Sequence, residues 1–215
     1  MSAKIIIVTN QKGGCGKTTL AMNVAGVLGL NNKTLLIDGD PQGSASRWAA
    51  SSSDEKPFPA AVMSLAAVND KVNREIKKYI DDYEYIVVDC PPAIDNKFTS
   101  SALLIADLAL VPIVPSPTDL WAAIGIQNLI SNVSEINEKL QARLVANMCQ
   151  TNASISKEAL SLIEEFDFPK MTTDIYQRTA YRQSAALGGT VFDLDNQKAR
   201  EEIKALVSEI IDALN

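Results

Sequence analysis

The passage that decides the fold is Lys4-Ile5-Ile6-Ile7-Val8-Thr9-Asn10-Gln11-Lys12-Gly13-Gly14-Cys15-Gly16-Lys17-Thr18-Thr19. A β-branched apolar run with no in–out alternation reads as a strand buried on both faces, the habit of a parallel sheet. A glycine cluster follows and leads directly into a helical stretch over 17–30. Glycines between a buried strand and a helix N-terminus let successive backbone N–H groups point inward around phosphate oxygens, and the helix dipole favours the same anion. In that arrangement Lys17 reaches the β- and γ-phosphates of a nucleotide, and the Thr18 hydroxyl ligates Mg²⁺. Gln11 stands where the strict GxxxxGK[ST] pattern has its first glycine, so the loop departs from that pattern at one position.

Outward from this loop the pattern repeats. Further strands are expected over 34–38, 85–89, 108–114 and 143–148, with a weaker one over 171–175. Helices are expected over 70–82, 119–139, 156–165 and 197–214. Alternation of this kind predicts an α/β fold, a doubly wound and mostly parallel sheet flanked by helices, with ligands at the carboxyl ends of the strands. The chain has 215 residues, of which 47% are hydrophobic and 21% charged. That is enough apolar material for one full core, so a single domain over 1–215 is expected. The polar, proline-punctuated stretch 51–59 reads as a loop and is too short to link two domains.

Composition removes several function classes. There are three cysteines, Cys15, Cys90 and Cys149, widely spaced, and no histidine, which argues against a zinc site and for a reduced, cytoplasmic setting. No uninterrupted apolar stretch approaches the roughly 20 residues that span a bilayer, and the first apolar run is too short for a signal-peptide core. The net charge of −6 excludes a generally basic nucleic-acid coat and leaves room for a local basic patch.

Two more strand ends carry carboxylates. The second strand ends in Asp38-Gly39-Asp40-Pro41-Gln42, and the third in Val88-Asp89-Cys90-Pro91-Pro92. A lone aspartate after a strand is usually a cap or turn residue. Three of them on the edge that carries the glycine loop are better explained by Mg²⁺, which takes oxygen ligands and keeps waters that nearby carboxylates hold.

These three segments resemble the deviant Walker A, A′ and Walker B motifs of the ParA/MinD family of P-loop ATPases. The stretches Pro115-Ser116-Pro117-Thr118-Asp119-Leu120-Trp121 and Ile175-Tyr176-Gln177-Arg178-Thr179-Ala180-Tyr181, with Gly188 to Phe192 after them, resemble the small ParA partition ATPases in particular. The resemblance covers essentially the whole chain and implies a SIMIBI-type P-loop NTPase fold. It implies that ATP binds on Gly13, Gly14, Cys15, Gly16, Lys17, Thr18 and Thr19, with Asn147 beside the adenine, Asn152 being close by. Lys12 would reach across a nucleotide-sandwich homodimer to the partner's phosphates, as an arginine finger does. Asp40 would position the attacking water, and Thr18, Asp38 and Asp89 would serve Mg²⁺. Lys12, Lys17 and Asp40 are thus the expected catalytic residues of a slow, partner-stimulated ATPase.

For function, the resemblance implies a DNA partition ATPase, cytoplasmic and nucleoid-associated. Its ATP-bound dimer would bind DNA nonspecifically and be released after hydrolysis, stimulated by a small centromere-binding partner protein. Residues 170–204 hold six basic side chains against five acidic ones. A dimer would align Arg178, Arg182, Lys198, Arg200 and Lys204 into one strip of phosphate contacts. The last helix has acidic residues behind its apolar stripe, which argues for docking on the sheet and against a membrane role. The sequence shows no helix-turn-helix before the first strand, so no operator-binding role is expected. Other readings stay open: a positioning ATPase for a protein microcompartment or chemoreceptor array, an enzyme resembling dethiobiotin synthetase, or an iron–sulfur reductase using Cys90 or Cys149. Trp48 and Trp121 are read either as core residues or as dimer or partner contacts, and Cys15 as a small filler residue.

Overall fold

The computed structural model describes residues 2–92, 97–150 and 166–215. Six parallel strands form one sheet in the order β3-β2-β4-β1-β5-β6: β1 Lys4–Val8, β2 Thr34–Asp38, β3 Ala61–Ser64, β4 Tyr85–Asp89, β5 Leu108–Ile113 and β6 Gln141–Ala146. The helices among the described residues are α1 Lys17–Gly29, α2 Ser44–Ala50, α3 Val72–Ile76, α4 Lys97–Leu103, α5 Pro117–Ser134, α6 Thr179–Ala186 and α7 Gln197–Leu214.

The unbroken apolar run of β1 is explained by two packed faces. Ile5 and Ile7 enter a cluster with Ile76 of α3, Ala102 of α4 and Ile126 of α5. Ile6 and Val8 enter the opposite cluster with Leu20 and Val24 of α1 and Ile203 and Leu206 of α7. Because side chains alternate along a strand, both sets must be apolar. The chain leaves β1 through α1 on one face, and leaves the adjacent β4 towards α4 on the other. Such a reversal opens a crevice at the carboxyl ends of neighbouring strands, where α/β proteins bind ligands.

The doubly wound parallel sheet expected from the sequence is therefore present. Four differences have physical causes. The helix expected over 70–82 is a 3-10 turn over Ala66–Lys71 followed by the single turn and a half of α3. Asn69, at φ 55° and ψ −116°, breaks the helical path, and the Ile80 carbonyl is drawn off to accept from Ala3 N at 2.7 Å. The strand expected over 171–175 makes only isolated bridges beside β6. Met171 and Ile175 donate to Leu144 and Ala146, but the intervening Thr172 and Thr173 amides turn to the Glu209 carboxylate of α7. β6 begins two residues earlier than expected and ends at Ala146, which leaves Asn147 just past the strand. The short β3, α4 and α6 were not anticipated. β3 is a half-exposed edge strand without a strong apolar signal, while α4 and α6 are too short for a clear helical period. The helix expected over 156–165, and Asn152, lie outside the described residues.

Candidate nucleotide site

Asn10, buried past the end of β1, sets the path of the glycine loop. Its Nδ2 donates to the Pro112 carbonyl of β5 at 2.8 Å, and its Oδ1 accepts from the Lys12 amide at 3.1 Å. The loop then turns through Gly14 and Gly16 at φ 77° and 87°, a left-handed region open to glycine. Gly16 has a second constraint, since a Cβ there would lie 2.3 Å from Asn147 Nδ2. Gly13 and Gly14 face open space, with no atom beyond their chain neighbours within 4 Å of where a Cβ would stand. Gly16 caps α1 without a side-chain hydrogen bond, which leaves the first amides of that helix without a side-chain cap from its own N-cap residue. Lys17 is buried and its Nζ donates to the Lys12 carbonyl at 2.9 Å. The same carbonyl accepts from Cys15 Sγ at 3.3 Å, and burial raises the Cys15 thiol pKa, which fits a packed filler rather than a reactive group. Thr18 and Thr19 sit half-buried in the first turn of α1.

Sheet register brings the acidic strand ends to this loop. Val8 pairs with Asp89, and Asp89 pairs with Asp38 on the next strand. Asp38 is fully buried and well partnered, with acceptor capacity left on one oxygen: its Oδ1 accepts from the Asp40 amide at 3.1 Å, and its Oδ2 from the Ser46 amide and hydroxyl, both at 2.8 Å. Asp40 is half-buried and accepts from the Gln42 amide at 2.8 Å. Asp89 is different. Both its carboxylate oxygens are buried with no hydrogen-bond partner of good geometry among the described residues. Burial pushes its pKa up to about 7; the Thr18 hydroxyl opposes that rise without completing a well-formed bond. An unpartnered buried carboxylate is costly. One placed beside Thr18 and a phosphate-type loop suits a divalent cation with oxygen ligands, so the residues fit Mg²⁺.

The other side of the site is a cleft lined by Thr19, Asn147, Met148, Tyr176, Arg178 and Tyr181, among others. Asn147 Nδ2 donates to the Cys15 carbonyl at 2.7 Å and so bolts the loop to the end of β6. Met148 follows at φ 55°, a rare backbone state for a residue with a side chain. Glu202 of α7 organises the far wall: it pairs with Arg178, accepts from Tyr181 Oη at 3.0 Å and from the Tyr176 amide at 3.4 Å. Sequence reading missed Glu202, Ser46 and Asn10. Only Asn10, a polar residue between the apolar strand and the glycines, carried any local signal.

The five cations expected in a DNA strip are divided by the structure. Arg178 and Arg182 line the cleft, and Arg178 is held by Glu202. Arg200 donates to the Leu194 carbonyl. Arg182, Lys198 and Lys204 have exposed side chains. The two tryptophans separate cleanly. Trp48 is buried, with Nε1 donating to the Gly189 carbonyl at 2.9 Å, whereas Trp121 is 71% exposed. Cys90 and Cys149 are buried thiols whose pKa values burial pushes up to about 12.

A central glycine loop, a buried lysine in the first turn of α1 and acidic strand ends in register together define a P-loop nucleotide-binding protein. The family described as the CobQ/CobB/MinD/ParA nucleotide binding domain matches residues 6–191, and the chain belongs to it. The maintenance of carboxysome distribution protein A of Halothiobacillus neapolitanus is 33% identical over 208 residues, spanning 96% of this chain and 95% of that protein. Its namesake from Gloeobacter kilaueensis is 30% identical over 198 residues, spanning 92% and 88%. Among solved structures, an aspartate-to-alanine McdA variant from Cyanothece in complex with ATP superposes with a TM-score of 0.82 at 17% identity, covering 98% of this chain and 97% of that one.

Proposed function

We propose that this protein is a ParA-like positioning ATPase whose Mg-ATP-bound homodimer binds DNA nonspecifically and distributes a cargo over the nucleoid. Two relatives at 30% identity or above carry names of carboxysome distribution, which favours a protein microcompartment as cargo over a plasmid or chromosome. The partner that stimulates hydrolysis is then a cargo-bound adaptor rather than a centromere-binding protein. The whole chain acts as one unit in the cytoplasm, with α7 packed on the sheet through Ala199, Ile203, Leu206, Val207, Ile210 and Leu214. No helix among the described residues is long and apolar enough to cross a membrane.

The observation that carries the dimer is the presence of two lysines on one phosphate loop. Lys17 is turned inward and buried, where a phosphate would take over the place of the Lys12 carbonyl. Lys12 keeps 37% of its side chain exposed on the rim, where a second chain can use it. Mg²⁺ would screen the triphosphate charge, held by Thr18 and by waters that Asp38 and Asp89 order. Asp40, with one oxygen spent on Gln42, has the other to orient a water towards the γ-phosphate. Arg182, Lys198 and Lys204 are the exposed cations offered to DNA phosphates.

Light scattering tests the reading. With a non-hydrolysable ATP analogue and magnesium the mass should double, and duplex DNA of arbitrary sequence should bind far better than with ADP and weaken steeply with salt. A protein that stays monomeric, or binds DNA equally with either nucleotide, refutes it.

A further inference from the structure

We propose that Asp119 holds Lys12 in reserve, so that the lysine offered to a second chain is restrained until nucleotide and partner compete for it. This rests on the dimer reading above and adds a positioning residue to it. Lys12 Nζ lies 2.8 Å from Asp119 Oδ2, whose side chain is only 10% exposed. The neighbouring Gln11 side chain lies against α5, where a Cβ on Gly125 would sit 2.2 Å from its Oε1. The rim of the phosphate loop is therefore stitched to α5 at two successive residues.

The local chemistry makes the pair reversible. Asp119 is the third residue of α5, near the positive end of that helix. Ser116 caps the helix by accepting from the Asp119 amide, and its hydroxyl donates to Asp119 Oδ2. The carboxylate thus keeps a hydroxyl donor and a favourable dipole when the lysine departs. The half-exposed Lys12 side chain can move while its own backbone stays fixed through Asn10. Since the pair exists in the free chain and must open for Lys12 to reach another subunit, it favours the monomer by its own strength and no more.

Two measurements on the full chain separate the outcomes. The first is the acetylation rate of Lys12 in nucleotide-free protein, read by peptide mass spectrometry, in the wild type and in Asp119→Asn. The rate should rise severalfold in the variant while the exposed Lys33 reacts unchanged. The second is the analogue concentration at half-dimerisation with magnesium, which should fall about threefold in Asp119→Asn, the scale of a partly exposed ion pair. Asp119→Ser, which keeps a small polar side chain and leaves the Ser116 cap in place, should behave alike if Asn perturbs the fold. Equal acetylation in variant and wild type overturns the proposal, as does a variant that dimerises less readily. A wild type that never dimerises defeats the function proposed above, and the acetylation result still decides whether Asp119 holds the lysine.

Discussion

Residues 10–19 deliver the phosphate side of the site within one short segment, whereas the cleft beside it draws on Asn147, Tyr176, Arg178, Tyr181 and Glu202 from the far half of the chain. The first side works through backbone: left-handed glycines, a helix end without a side-chain cap and one buried lysine. The second works through side chains held by other side chains, with Glu202 and Glu209 of α7 clamping residues 172–181 against the sheet edge. A triphosphate would be met by geometry that a contiguous motif can encode, and the rest of a nucleotide by packing between side chains brought from distant parts of the chain.

If the two sides are separable, single changes should split their effects. Lys17→Ala should have the largest, lowering affinity for both ATP and inorganic tripolyphosphate by roughly a hundredfold or more, because a buried charge-assisted contact is lost. Isothermal titration with each ligand measures it. Glu202→Ala should come next. It strips Arg178 and Tyr181 of their shared acceptor and should cost about 3 kcal/mol of folding stability. It should also weaken ATP about tenfold while leaving tripolyphosphate unchanged. A parallel loss for tripolyphosphate would mean the two sides are one cooperative unit.

Asp89→Asn should have the smallest effect, and of opposite sign. Burial raises the pKa of Asp89 from the ordinary carboxylate value to about 7, so the folded state binds its proton more tightly than the unfolded chain does. Nucleotide-free wild type should therefore lose stability from this group as pH rises from about 4 towards 7, and stay at the lower level above that. The variant lacks this penalty and should be more stable by about 2 kcal/mol near pH 8, and so melt at higher temperature, with little difference near pH 4. Thermal melts across that pH range check both the size and the direction.

Much of this is legible in the sequence. The β1–glycine–α1 passage gave strand, turn and helix from one stretch, because its apolar continuity and its Gly-Lys-Thr end depend on local chemistry alone. Asp38, Asp40 and Asp89 could be placed on the site edge from their positions after apolar runs, since strands in a parallel sheet point one way. The tail was harder. Arg178 looked like a surface cation, and only the fold shows that Glu202 and the cleft claim it. Trp48 and Trp121 read alike in the sequence, yet one is buried under Gly189 and the other faces solvent. The failed strand over 171–175 has the same origin, a carboxylate from α7 that takes the amides a strand would need.

The sequence by itself determined the parallel sheet, the phosphate loop and the carboxylates that face it, because period, glycine placement and strand direction are properties of neighbours along the chain. Tertiary structure alone decided which cations remain on the surface, which aromatic is core, and that Lys12 rests against Asp119. Those outcomes depend on which distant group arrives first within hydrogen-bond reach, and no spacing along a single segment records that.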